Sequence, residues 1–172
     1  ASQLVTDQTA TNDQGATVLG LSSSFHGHTQ GMFKNDYAFA AINNNGKVIV
    51  WGDAVNGGSN SAVSDDLTDV VKIISNSSAF VALKQDGSLV AWGDSQSGGN
   101  ISDVSSSLNG SIDVKEIFST KAAFAALRSD GSVVTWGDNS TGGDSQSVAA
   151  NLNGSNDVIT IASNMSAFAA IH

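Results

Sequence analysis

One five-residue pattern recurs four times along this chain of 172 residues, and it constrains the fold more than any other feature. In each copy a Phe follows an Ala and precedes three small or aliphatic residues, at positions 38–42, 79–83, 123–127 and 167–171. The four Phe residues are 41, 44 and 44 positions apart. Self-similarity at a period of roughly 20 to 50 residues is typical of tandem structural units that stack on one another. The sequence therefore predicts a repeat protein.

A turn and a second apolar run follow each of the first three copies. The turns are Asn45-Gly46, Asp86-Gly87 and Asp130-Gly131. Each second run ends in Trp-Gly-Asp and is followed by a loop that closes on Gly-Gly. Because Asn-Gly and Asp-Gly between apolar runs are typical of tight hairpin turns, each unit is predicted to begin with a β-hairpin.

A short helical turn and a third strand complete each unit. Apolar residues four positions apart, such as Val104 and Leu108, lie on one side of a helical turn. Third strands are expected at 70–74, 114–118 and 158–162. The predicted fold is all-β with short helical turns, built from three tandem three-stranded units at 38–78, 79–122 and 123–166, with the first strand of a fourth unit ending at 171.

The order of apolar strand, Asp-Gly turn, Trp-Gly strand, Gly-rich loop and Val-Ile strand resembles the repeat of the regulator of chromosome condensation family. The resemblance covers about residues 38–171 and is clearest at 130–139, which reads Asp-Gly-Ser-Val-Val-Thr-Trp-Gly-Asp-Asn. Known members form seven-bladed β-propellers, so the resemblance implies propeller-like blades. With three units, an open β-solenoid stack, a fragment of a larger ring and a ring completed by other subunits all remain open.

The two ends of the chain differ from the repeat. Residues 1–37 form an N-terminal segment with a degenerate third strand at 17–22 and an insertion at 24–34, whereas the fourth pentapeptide is not followed by a hairpin partner. An unpaired strand edge is a template for another strand. The donor is either the chain's own N-terminal segment or that of another copy, which would build a filament or surface layer. The residues predicted to take part are Val18, Leu19, Leu21, Phe168 and Ile171.

Composition narrows the partners. A formal net charge of −9 repels phosphate, so no nucleic-acid partner is expected. No apolar run approaches the roughly 18 residues needed to cross a bilayer, so no membrane insertion is expected. The start at Ala1-Ser2-Gln3, the few Lys residues and the Asn-, Ser- and Gly-rich loops favour a secreted or cell-surface protein, a short bacterial surface variant of the repeat.

Two sets of equivalent residues are candidates for ligand binding. Asp53, Asp94 and Asp138 could bind calcium through their carboxylates, but the favoured interpretation is that each accepts hydrogen bonds from turn backbone. Trp51, Trp92 and Trp136 could form a ladder on which sugar rings stack, but packing between adjacent units is favoured because each Trp shares a strand face with an apolar residue.

Catalytic motifs are absent from the sequence. We find no Gly-x-Ser-x-Gly elbow, no phosphate-binding Gly-rich loop, no paired carboxylates in a His-containing setting and no Cys. An enzyme is therefore not expected, and no cofactor other than calcium is considered. The predicted function is that of a non-catalytic extracellular structural or adhesive protein that self-assembles by strand complementation. The alternative is a glycan- or peptide-binding module of a larger secreted adhesin.

Overall fold

The computed structural model describes residues 10–11, 17–18, 33–43 and 45–172, and the regular secondary structure of this part of the chain is mostly β-strand. Short helical segments lie in the loops between strands, at Ala54–Gly58, Ser95–Ser97, Ser102–Ser107, Asn139–Thr141 and Gln146–Asn151. No helix in the described residues is long and apolar enough to cross a membrane. The strands are β1 (Ala10–Thr11), β2 (Thr17–Val18), β3 (Ala38–Ile42), β4 (Val48–Gly52), β5 (Val70–Ser75), β6 (Ala79–Lys84), β7 (Leu89–Gly93), β8 (Val114–Ser119), β9 (Ala123–Arg128), β10 (Val133–Gly137), β11 (Thr160–Ser163) and β12 (Phe168–Ile171).

The strands form small antiparallel sheets that follow one another along the chain. The second sheet has the order β5-β6-β7 and the third the order β10-β9-β8, while β1 to β4 form the first sheet and β11 pairs with β12. This confirms the predicted all-β fold of three-stranded, propeller-like units. The second and third sheets each join the third strand of one sequence unit to the hairpin of the next, so each of these sheets begins near the end of a sequence unit.

Each hairpin places its Phe directly opposite its Trp. Phe80 pairs with Trp92 across β6 and β7, and their rings stack with centroids 5.3 Å apart. Phe124 and Trp136 repeat this arrangement at 5.6 Å. In the hairpin turn the Asp86 carboxylate accepts a hydrogen bond from the Ser88 amide at 3.0 Å. The turn fixes the register, and the aromatic pair adds stabilisation beyond the burial of its area.

The hydrophobic cores lie between successive sheets rather than within one. Between the second and third sheets, Ile74, Val81 and Leu89 on one side meet Phe124 and Trp136 on the other. Similar cores separate the first sheet from the second and the third from the fourth. Because each sheet buries its apolar face only against a neighbour, the stability of this fold comes from its junctions.

The outer edge of the Trp strand is covered in the second and third sheets. The amide of Leu89 in β7 donates to the carbonyl of Leu108 at 3.0 Å, and Val133 in β10 donates to Leu152 at 2.9 Å. These contacts continue into bridges between Ser88 and Asn109 and between Ser132 and Asn153. The connection to the next sheet thus acts as a short fourth strand, which protects an edge that would otherwise pair freely.

The N-terminal segment supplies the third strand of the first sheet. Thr17 in β2 pairs with Ile42 in β3, in the same register that joins Lys72 to Leu83 in the second sheet. The expected degenerate strand therefore occupies the position of β5 and β8 within its own chain. Of the insertion expected at 24–34, the structure describes residues 33 and 34 only.

The first glycine of each Gly-Gly pair presses on the Phe ring of the next sheet. Gly98 has φ +90°, and a Cβ added to it would lie 2.8 Å from Cδ2 of Phe124. Gly57 meets Phe80 in the same way. A side chain at this position would therefore strain the backbone and push the two sheets apart.

We expect Gly98→Ala to lower the free energy of unfolding by roughly 2 kcal/mol or more, because left-handed backbone and overpacking add. Gly46→Ala is the matched control, since Gly46 has φ +74° but nothing within 4 Å of an added Cβ. That control is expected to lose about 1 kcal/mol from the backbone alone. Chemical denaturation of both variants measures the difference, and equal losses would contradict the close packing at the junction.

Candidate functional site

The Trp residues join neighbouring sheets. Nε1 of Trp92 donates to the carbonyl of Gly57 at 3.1 Å, and Nε1 of Trp136 donates to that of Gly98 at 3.0 Å. Both indoles are buried, with 4% and 5% of their surface exposed. Trp92 and Trp136 therefore pack between neighbouring units, which was the favoured interpretation. The hypothesis that three Trp rings form a ladder for sugar rings is wrong for these two, because a buried ring offers no face to a sugar. Trp51 differs: it is 41% exposed and stacks on Phe39 at the first sheet.

The Asp residues after Trp-Gly cap the loop that follows. The Asp53 carboxylate accepts from the Asn56 amide at 3.0 Å, Asp94 accepts from the Ser97 amide at 3.0 Å, and Asp138 accepts from the Ser140 amide at 2.8 Å. This geometry matches the favoured interpretation, in which each Asp accepts hydrogen bonds from the backbone of the turn. Among the described residues no group of three or more His, Cys, Asp or Glu side chains could hold a metal ion, so no cluster there supports a calcium site.

A second set of polar residues, which sequence reasoning missed, clamps the same loops. Nδ2 of Asn76, a fully buried residue, donates to the carbonyl of Ser97 at 2.6 Å, while its Oδ1 accepts from the Ala79 amide. Oγ1 of Thr120 donates to the carbonyl of Thr141 at 2.8 Å. The signal was present in the sequence, because a side chain that can both donate and accept stands three residues before each Ala-Phe pair, at Asn35, Asn76, Thr120 and Asn164.

A row of backbone hydrogen bonds links successive sheets at the turns that precede the Ala-Phe strands. The Asp36 amide donates to Ser77 at 3.0 Å, Ser77 donates to Lys121 at 3.2 Å, and Lys121 donates to Met165 at 3.0 Å. Each of these residues follows directly after a clamping Asn or Thr. The row continues through all four sheets, and its last member, Met165, is 60% exposed.

The edge of β12 is open in the part of the chain that the structure describes. β12 pairs with β11 on one side, whereas its counterparts β6 and β9 are paired on both. Phe168 is half-buried and Ile171 is 48% exposed. The two residues predicted to accept a partner strand therefore do lie on a strand with a free edge.

The predicted donor residues are placed differently. Val18 in β2 pairs with Ala41 in β3 of the same chain, so the prediction that Val18 pairs with the last strand, within the chain or between copies, is corrected to a pairing within the first sheet. The physical reason is that β2 pairs with β3 in the first sheet, as β5 pairs with β6 in the second and β8 with β9 in the third. Leu19 and Leu21 lie outside the described residues.

Clefts open between neighbouring sheets. A groove of about 440 Å³ lies between the loops of the second and third sheets, and polar side chains such as Asn100, Asp103, Asn139 and Gln146 line it. A second cleft of about 460 Å³ lies beside β12 and has apolar walls that include Val133, Leu152 and Phe168.

Hydrogen bonds within the turns lower the pKa of several carboxyl groups. The Ser132 hydroxyl, which donates to Asp130, is the main cause of the lowered pKa of Asp130. The Ser140 hydroxyl does the same to the pKa of Asp138, and the Ser88 hydroxyl to that of Asp86. In each case the ionised form accepts the hydrogen bonds that hold the turn, so protonation weakens it.

Acid is expected to destabilise the fold through these turns. A carboxyl group whose folded pKa lies below its unfolded value contributes stability above the unfolded pKa, and this is lost as the pH falls through the folded one. The midpoint of thermal unfolding should therefore decrease as the pH falls below about 4. The double variant Asp86→Asn, Asp130→Asn should show a shallower decrease. Melting curves from neutral pH to about pH 2 measure both, and identical slopes would contradict this role.

Comparisons with known proteins find likeness in structure but not in sequence. No protein-family model matches the chain, and no curated protein matches its sequence. Human WBSCR16 is similar at 13% identity and a TM-score of 0.46, over 78% of this chain and 42% of that one. Yeast RCC1 (Prp20), solved with Kap60, has 18% identity and a TM-score of 0.46, over 61% of this chain and 28% of that one.

A plant protein shows a similar likeness. The ectodomain of the receptor kinase CR4 from Physcomitrella patens has 13% identity and a TM-score of 0.48, over 77% of this chain and 32% of that one. The chain spans less than half the length of each of these solved structures.

Proposed function

We propose that this chain is a non-catalytic structural or adhesive module of a secreted or cell-surface protein, a bacterial surface variant of the repeat. It binds other polypeptides, including its own copies, by adding a strand to the open edge of β12. The observation that carries the proposal is that, among the described strands, β12 is paired on one edge, whereas its equivalents β6 and β9 are paired on both.

The backbone of β12 presents hydrogen-bonding groups at this edge. In the equivalent hairpin, the first bond from β6 to β7 runs from the Lys84 amide to the Ser88 carbonyl. Successive residues of an antiparallel strand direct their backbone groups alternately to its two edges. Two and four residues before Lys84, the fourth and second residues of the pentapeptide therefore also direct their backbone groups to the hairpin partner. In β12 these residues are Phe168 and Ala170. Their amide and carbonyl groups are thus available to an incoming strand.

The rest of the molecule suits assembly from such units. The cores lie at the junctions between sheets, so adding structure at one end extends an arrangement that already exists along the chain. Contacts between unlike ends of identical molecules generate filaments when they do not close into a ring. The charge of −9 favours protein or glycan partners over nucleic acid.

Sedimentation velocity over a range of concentrations tests this mode of assembly. We expect the wild-type chain to form oligomers that grow with concentration. Ala170→Pro should be monomeric, because proline removes an amide that points to the open edge and leaves the β11–β12 bonds intact. Ala170→Ser is the matched control and should assemble like the wild type, since it keeps the amide.

Two results would overturn the proposal of self-assembly. One is a wild-type chain that stays monomeric at every concentration. The other is an Ala170→Pro variant that remains folded by circular dichroism and still assembles like the serine control.

The polar groove between the second and third sheets favours a second function, recognition of a glycan or polar peptide. Its walls carry amide, hydroxyl and carboxylate groups from the loops of both sheets, including Asn100, Asn139 and Gln146. Such groups can bind hydroxyl-rich ligands through several hydrogen bonds. The chain would then act as a binding module of a larger adhesin.

A glycan array probed with the labelled chain tests this alternative. Specific hits should weaken at least about tenfold in the double variant Asn139→Ala, Gln146→Ala, because each lost group leaves a ligand hydroxyl unpaired. Hits that the double variant retains would place glycan binding outside the groove, and an array without hits would count against the alternative.

A further inference from the structure

We infer that the segment which pairs with β12 is an extended strand carrying Trp-Gly, because the end of the array holds a socket for an indole ring that no Trp of the described residues fills. This inference rests on the strand addition proposed above and names the chemistry of the partner. The socket is the cleft of about 460 Å³ beside β12.

The socket repeats, residue by residue, a surface that a Trp covers at the preceding junction. There, Trp136 and Val134 of the third sheet pack in one core with residues of the second sheet and its connecting segment. Residues 44 positions later line the socket. The covered residues are Leu89, Ala91, Val104 and Leu108, with the Gly98 carbonyl as hydrogen-bond acceptor, and their counterparts in the socket are Val133, Thr135, Val148, Leu152 and Gly142.

Burial shows that this surface lacks its cover within the described residues. Leu108 is 1% exposed, whereas its counterpart Leu152 is only half-buried. Val148 is 45% exposed, although Val104 packs against the core of the preceding junction. Gly98 is buried and Gly142 is half-buried. The walls of the socket are therefore formed, but in the part of the chain that the structure describes no Trp side chain covers them.

The register of the interior hairpins defines the partner strand. In the third sheet Trp136 lies opposite Phe124, and Val134 lies opposite Ala126. Transferred to β12, Trp lies opposite Phe168 and an apolar residue opposite Ala170, which gives the pattern apolar-x-Trp-Gly. The indole N–H would donate to the Gly142 carbonyl, as Trp136 donates to Gly98.

The final Gly of the pattern has a steric reason. Gly137 has φ +105°, and a Cβ there would lie 2.7 Å from the carbonyl oxygen of Ala122. The same turn precedes β12, so a partner with any larger residue after its Trp would collide with the backbone.

The partner must reach the socket as an extended segment rather than as part of a folded copy. A Trp can enter the socket only if the amide and carbonyl of that Trp point toward β12, as those of Trp136 point toward β9. In β4, Trp51 already uses that edge to pair with Phe39 of β3. A folded β4 can thus add to β12 only through its other edge, which turns the Trp51 side chain to the opposite face.

A labelled peptide with the sequence of residues 130–138, Asp-Gly-Ser-Val-Val-Thr-Trp-Gly-Asp, provides the test. Fluorescence anisotropy should show saturable binding to the whole chain at concentrations where sedimentation finds it monomeric. The same peptide with Trp136→Ala should bind at least about tenfold more weakly, because an aromatic anchor contributes most of the binding at such a pocket.

Variants of the protein locate the binding. Val148→Lys should weaken binding of the Trp peptide, because it places a charge on the socket wall. Val55→Lys is the matched control, since Val55 is 69% exposed and lies on the loop of the first sheet. Equal binding of the Trp and Ala peptides, or no binding of either, would overturn the inference, as would full binding by Val148→Lys.

The outcomes separate this inference from the proposed function. A chain that binds the Trp peptide but never self-associates retains the socket and contradicts self-assembly. A chain that self-associates but neither binds the peptide nor loses its oligomers when excess peptide is added retains self-assembly and contradicts the socket.

Discussion

The contact between a Trp indole and the glycine of the preceding loop is the interaction on which the whole arrangement depends. It combines a buried hydrogen bond from Nε1 with the stacking of the same ring on a Phe of its own sheet. The Phe ring in turn lies against the Cα of that glycine, so loop, hairpin and core meet at one point. A buried indole requires a partner for its N–H, and here only the neighbouring unit supplies it. Each sheet is consequently incomplete by itself.

The loops that present these glycines are held by short polar side chains rather than by a core. Asp94 caps the loop from within, while Asn76 reaches the same loop from the turn of the adjacent strand. Buried polar groups are stabilising only when their hydrogen bonds are complete. Asn76 meets this requirement by donating to one carbonyl and accepting from two amides. Polar side chains of this kind thus hold the loops in a defined conformation.

Much of this fold could be predicted from the sequence, because the hairpins are encoded locally. Asp-Gly turns set the register, and the period of 41 to 44 residues defines the repeating units. The role of Asp138 in its turn followed from the same local reasoning. Which strands share a sheet did not follow, since the third strand of a unit lies between two hairpins in the sequence, and the motif does not show that β8 pairs with β9 of the hairpin after it. The sequence also does not show that Trp51 is exposed whereas Trp92 is buried. Both residues belong to the same motif, and their exposure differs because their structural neighbours differ.

The row of backbone hydrogen bonds through Ser77 and Lys121 gives the array a polarity. In that row the amide of each earlier sheet donates to the next sheet, whereas at the outer loops the indole of each later sheet donates backward. Within the described residues, one end of the array therefore offers an indole donor at Trp51, and the other offers the Met165 amide. Two like ends repeat the same groups and do not match. Any continuation of the array then has a fixed direction, as in a polymer with distinct plus and minus ends, and a two-fold symmetric dimer cannot reproduce its junction.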